Sequence, residues 1–171
     1  MKQNILVEPK IVSRSTVAYA GVRESLPRDQ LANVVPRTIG EVVEFLQRQQ
    51  IAPTGSPLVR YLVVDYNTNI VEIEVGLPVT GLAALHSDRV RLGGIPAGRY
   101  ATVTHPGSYD TLVNTTAALL EWGKLTHTKW QMTEQENVTQ WGARVERYNV
   151  GPPAESDPSR WRTEISILLA A

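Results

Sequence analysis

Two glutamates near the C-terminus stand inside strand-like runs, where a carboxylate can do more than keep a protein soluble. Glu164 is flanked by Ile165 and Ile167. A carboxylate there can pair with a cationic ligand or, with a raised pKa, take and give a proton. The plainer alternative is a strand glutamate facing solvent. Glu146 and Tyr148 are two residues apart, so on a strand they share a face and set a carboxylate beside an aromatic wall. If the protein is an enzyme, Glu164 and Glu146 are the catalytic candidates. With Tyr148 they are also the first ligand-binding candidates.

Aromatic rings can stack on a flat ligand or cage a cation. Of Trp122, Trp130, Trp141 and Trp161, Trp122 and Trp161 are the ones we place at a cleft, Trp122 on a helix and Trp161 just before the last strand. Core packing is the alternative for each. His86, His105 and His127 are far apart and match no zinc spacing, so structural or solvated roles are expected. Dinucleotide, phosphate-loop and serine-nucleophile glycine patterns are absent. We expect no metal and no cofactor.

The 171 residues contain no cysteine, which excludes disulfides, thiol catalysis and thiolate metal sites. Formal net charge is zero, so no electrostatic footprint for direct nucleic-acid binding exists. The small basic group Arg144, Arg147, Arg160 and Arg162 reads as solvated strand faces. Met1 to Lys10 lacks the apolar core of a signal peptide, and no run approaches a membrane span. A cytoplasmic protein is the expectation.

The elements that must position these residues come in two rounds. Pro9 to Glu24 alternates and predicts a strand. Pro36 and Thr38 open a predicted helix with an apolar stripe of Ile39, Val42, Val43 and Leu46. Leu58 to Val64 and Ile70 to Val79 predict two strands around a turn at Asp65–Asn69. In the second round, Arg89 to Thr104 predicts a strand bent at Gly93-Gly94 and Gly98. Ser108 is the expected N-cap of a helix from Tyr109 to about Lys124. Residues 126–140 resist assignment. Ala143 to Val150 and Thr163 to Leu169 predict the closing strands.

The order is therefore β-α-β-β, twice. Val59-Arg60-Tyr61 resembles Glu146-Arg147-Tyr148, and the run from Glu74 to Val79 resembles that from Glu164 to Leu169. Tyr61 and Glu74 thus join the candidates as first-half counterparts. A three-stranded half with one helix buries too little surface to stand alone, whereas two halves can pair about a pseudo-twofold axis and leave a cleft at the junction. The expected fold class is α+β, as one domain over residues 1–171 with halves at about 8–80 and 88–171.

The runs Ile95-Pro96-Ala97-Gly98-Arg99-Tyr100-Ala101, His105-Pro106-Gly107-Ser108-Tyr109-Asp110 and Leu119-Leu120-Glu121-Trp122, with the closing strands at Glu146 and Glu164, resemble GyrI-like small-molecule-binding domains, a family named for a gyrase-inhibitory protein. The resemblance spans nearly the whole chain. It implies a duplicated fold with a ligand cleft between halves, and pocket-lining glutamates in the closing strands. Ser166 and Leu168 depart from the aromatic and proline common there. Family members often follow a DNA-binding region; here the first strand begins by about residue 10, so any sensing role is expected to need a separate protein partner. The resemblance implies three functions: a binder of a small organic ligand, a hydrolase that opens cyclopropane-bearing alkylating compounds, and an interaction module that blocks a gyrase-type target.

Overall fold

The computed structural model describes residues 8–80 and 87–171; His86 lies outside them. The alternating run at Pro9–Glu24 is two strands, β1 (Lys10–Arg14) and β2 (Val17–Pro27), broken at Ser15-Thr16. A 3-10 turn at Arg28–Gln30 leads into α1 (Leu31–Arg48). Pro36 lies inside this helix rather than at its start. Its missing N–H leaves the carbonyl of Ala32 without its helical donor, but Ala32 is exposed and water can take that place. The helix buries Thr38, Val42, Phe45 and Leu46.

A hairpin follows, β3 (Leu58–Asp65) and β4 (Ile70–Pro78). Its turn is held by Asp65, which accepts from the backbone N–H of Asn67 at 2.9 Å. The second round holds β5 (Arg91–Ile95), β6 (Gly98–Pro106), a 3-10 turn at Tyr109–Thr111, α2 (Leu112–Leu125), β7 (Met132–Gln135), β8 (Val138–Val150) and β9 (Arg162–Leu168). Ser108 caps the 3-10 turn, accepting from the Asp110 N–H at 3.3 Å, rather than the helix proper. The polar stretch that resisted assignment is the β7–β8 hairpin.

Gly93 and Gly94 do not bend a strand. They lie within β5, and the chain breaks after Ile95. Gly93 sits under the Tyr19 ring, where a β-carbon would come 2.5 Å from the ring. Glycine is there for the close approach.

All strands join one antiparallel sheet in the order β1-β6-β9-β8-β3-β4-β2-β5, with β7 added to β8. The order is symmetric about the β3–β8 pair. Tyr19 and Tyr100 occupy equivalent places on β2 and β6, as do Glu74 and Glu164 on β4 and β9. The outermost strands are exchanged: β1 of the first half pairs with β6, and β5 of the second pairs with β2.

This exchange forces the sheet to curl. β1 and β2 stand six strand spacings apart in sheet order, roughly 29 Å if flat. The two-residue link between them spans at most roughly 11 Å. Curling brings Tyr19, Leu58, Ile95, Tyr100, Val145 and Leu168 into one core on the inner face. On the other face, Val59, Tyr61, Ile73, Ile165 and Ile167 form the main core with Leu112 and Leu119 of α2 and the partly buried Leu31, Val35 and Ile39 of α1. The two helices thus lie on the outer face, one per half, with a gap between them over the junction strands.

Candidate functional site

Side-chain parity on β8 decides what faces the gap between the helices. Glu146 pairs with Val59 on β3 and Ile165 on β9, so all three point to the helix side. Arg144 and Tyr148 share that face, and Tyr61 is paired with Arg144. They line a cleft of about 1480 Å³ whose other walls are Leu31, Val35, Ile39 and Val43 of α1, Leu112 and Val113 of α2, and the loop from Asn149 to Glu155. The apolar stripe read on α1 is therefore divided, Val42 and Leu46 going to the core, Ile39 and Val43 to the cleft. A smaller hollow of about 550 Å³ lies between two hairpin tips, but its polar lining includes no buried ionisable group.

Glu146 lies on the pseudo-twofold axis and is 5% exposed. Burial pushes its carboxyl upward, opposed by the Arg144 charge and by the hydroxyls of Tyr148 and Tyr61. The Tyr148 hydroxyl donates to its carboxylate at 2.9 Å. Burial raises Tyr148 well above the usual phenol range, and the charge of Glu146 adds to it. Tyr61 is raised for the same two reasons. One carboxylate thus stands between two phenols donated by the two halves. It is an acceptor for a cation or an N–H donor and, with its raised pKa, a group able to hold a proton closer to neutrality than an exposed glutamate.

An aromatic wall rises beside it. The Tyr109 ring lies edge-on to Tyr148 at 5.4 Å and tilted against Trp161 at 4.6 Å. Trp161 is fixed by its indole N–H, which donates to the Glu155 carbonyl at 2.8 Å. Tyr109 is placed by the turn before α2, and that turn is tied to buried His105, whose Nε2 lies 2.9 Å from the Ser108 carbonyl and Nδ1 2.6 Å from Thr115 Oγ1.

The candidates from the sequence separate into two sets. Glu146, Tyr148, Tyr61 and Trp161 meet at the cleft. Glu164 and Glu74 do not, because each is one residue out of phase with Ile165 and Val75, which point to the helix side of the sheet. Glu164 is held on the opposite face by Arg14, at 2.6 and 2.9 Å, and by Arg147 at 3.2 Å. Burial alone would raise its carboxyl; the two guanidiniums outweigh that and hold it below the usual range. Glu74 is cross-strand from Arg60 and Arg23. Trp122 packs against the core and is not among the cleft residues.

Arg144 corrects the expectation of solvated strand faces. It is 8% exposed and lines the cleft, with its guanidinium over the Tyr61 ring at 4.6 Å and near Trp141 at 5.4 Å. Sharing strand parity with Glu146 was the signal for it. Tyr109, given by the sequence only as the start of the second helix, is the other cleft residue outside the candidates. Among the described residues no cluster of three or more His, Cys, Asp or Glu is arranged for a metal ion, and no helix is long and apolar enough to cross a membrane.

No protein-family model and no curated protein sequence matches this chain. Solved structures do. The C-terminal domain of EcmrR superposes with a TM-score of 0.75 at 20% identity, covering 95% of this chain and 97% of that one. In the EcmrR–DNA complex the match spans 59% of the EcmrR chain. SAV2435 bound to tetraphenylphosphonium matches with a TM-score of 0.64 at 12% identity, covering 96% and 95%. A hydrolase from Listeria innocua matches at 0.57 and 11%, covering 95% and 92%. The chain therefore has the GyrI-like fold: a curled antiparallel sheet with one helix per half and a cleft between them.

Proposed function

We propose that the chain binds a small, largely apolar organic molecule in the cleft, with Glu146 meeting a cationic or N–H donor group of that molecule. The observation behind this reading is the buried carboxylate at the base of a cleft lined by aliphatic and aromatic side chains. Burying a carboxylate that has phenol donors but no ion pair is costly, and a ligand cation would recover the lost interaction. The volume is ample for a drug-sized molecule. The likeness to SAV2435, which holds the lipophilic cation tetraphenylphosphonium, agrees with it. Calorimetric titration of the protein with that cation is the test. One saturable site, weakened in Glu146→Gln, is expected; absence of binding overturns the reading.

A second reading is favoured by the Glu146–Tyr148 hydrogen bond. A carboxyl with raised pKa beside a phenol can relay a proton while water adds across a strained C–C bond, a contribution of roughly 10²–10⁴-fold for one acid–base group. Incubation with a cyclopropane-bearing alkylator, followed by mass spectrometry, separates the two. Hydrated ring-opened product in excess of protein supports the hydrolase; recovery of intact ligand only rejects it.

A further inference from the structure

The two halves contribute unequally to the junction. Opposite Glu146 on the symmetry axis stands Val59, and the first-half equivalent of Arg144 is Pro57, from the register of β3 on β8. Both buried charges of the cleft therefore come from β8 alone. Glu146 has its Tyr148 partner. Arg144 has no carboxylate oxygen of the described residues within 4.0 Å of its guanidinium. Its Nε is fully buried without any hydrogen-bond acceptor. What it touches are ring faces, Tyr61 and Trp141.

A guanidinium is a planar cation with five N–H donors and no acceptor. Its fork of donors matches a carboxylate or another oxygen acceptor, and the aromatic faces hold it in place while leaving in-plane donors free. It is more than nine-tenths buried and lines the same cleft as Glu146 two residues away.

We propose that Arg144 is a second polar anchor, and that the occupant of the cleft is an amphoteric apolar molecule whose anionic oxygen meets Arg144 while its cationic nitrogen meets Glu146. This rests on the reading of the cleft as a ligand site. It narrows the ligand class: a purely cationic molecule satisfies Glu146 but brings a like charge towards Arg144, whereas a molecule with both groups satisfies each.

Three compounds with one biphenyl frame test it: 4-phenylphenylalanine, its decarboxylated amine and its deaminated acid, titrated calorimetrically at pH 7. The amino acid is expected to bind roughly ten-fold or more tighter than the amine, the scale of one charge-assisted hydrogen bond. Arg144→Met is expected to erase that advantage and leave the amine as the better ligand. Equal or tighter binding of the amine to the unmodified protein overturns the proposal while leaving the cleft reading intact. Binding of none of the three overturns both. The ratio in the unmodified protein decides the matter even if the variant does not fold.

Discussion

Arg14 grips both carboxylate oxygens of Glu164, at 2.6 and 2.9 Å, across 150 positions of sequence. The pair ties edge strand β1 to β9, over β6 that lies between them. It makes Glu164, the most conspicuous acid of the sequence, a fastening on the face away from the cleft.

Glu164→Gln is therefore expected to cost stability and spare binding. The loss should be about 1–2 kcal/mol, since the pair is partly exposed. The folded carboxyl lies below its unfolded value, so its contribution is complete above the unfolded pKa of about 4.3 and fades as pH falls through the folded one. Urea denaturation at pH 7 and pH 3 checks this: the difference between wild type and variant should be smaller at the second pH than at the first. A loss of ligand affinity with unchanged stability would contradict it.

Glu146→Gln should do the reverse. A carboxyl raised by burial destabilises the folded state as pH climbs from the unfolded pKa through the folded one. The amide avoids that cost, so the variant's thermal midpoint should match or exceed the wild type above neutral pH, with the gap closing in acid. Affinity for a lipophilic cation should drop roughly ten-fold or more.

Tyr148→Phe removes the donor that helps keep Glu146 ionised. The carboxyl should then titrate higher still, and the pH for half-maximal cation binding should rise. The stability cost is expected at about 1 kcal/mol, one buried hydrogen bond. An unchanged pH profile would mean that the phenol does not act on the carboxylate.

Trp161 should report the ligand and Trp122 should not. Intrinsic fluorescence should change on binding in the wild type and in Trp122→Phe, but much less in Trp161→Phe. Trp161→Ala should weaken binding by about 1–2 kcal/mol through loss of the wall it forms with Tyr109.

Much of this was readable in the chain. One helix followed by a pair of strands, twice over, showed in apolar periodicity, although each leading strand is two strands in the fold, and the match of Val59–Tyr61 to Glu146–Tyr148 marked the symmetry axis itself. The face of Glu164 was harder to read. Both isoleucines beside it are buried, and only pairing of Ile165 with Glu146 shows which face holds the cleft. Arg144 looked like one member of a solvated basic group because composition carries no depth. Pro36 looked like a helix start, since Leu31–Val35 gain their helical place from the core they touch. The β7–β8 hairpin turns on Glu136 and Asn137 with positive φ, a conformation that a glutamate does not advertise.

The exchanged edge strands also bear on how the chain acquires its structure. Thr102 of β6 reaches Lys10 of β1 over 92 positions, and β5 reaches back to β2 in the same manner. Neither half can complete its own sheet before the other has been largely assembled. Closing such long loops ahead of their rewarding contacts is slow. The halves should accordingly appear and melt as one cooperative unit, and a fragment holding either repeat alone should remain without native order. The symmetric ancestor implied by the repeat would have met the same demand as two identical chains, each lending its first strand to the other.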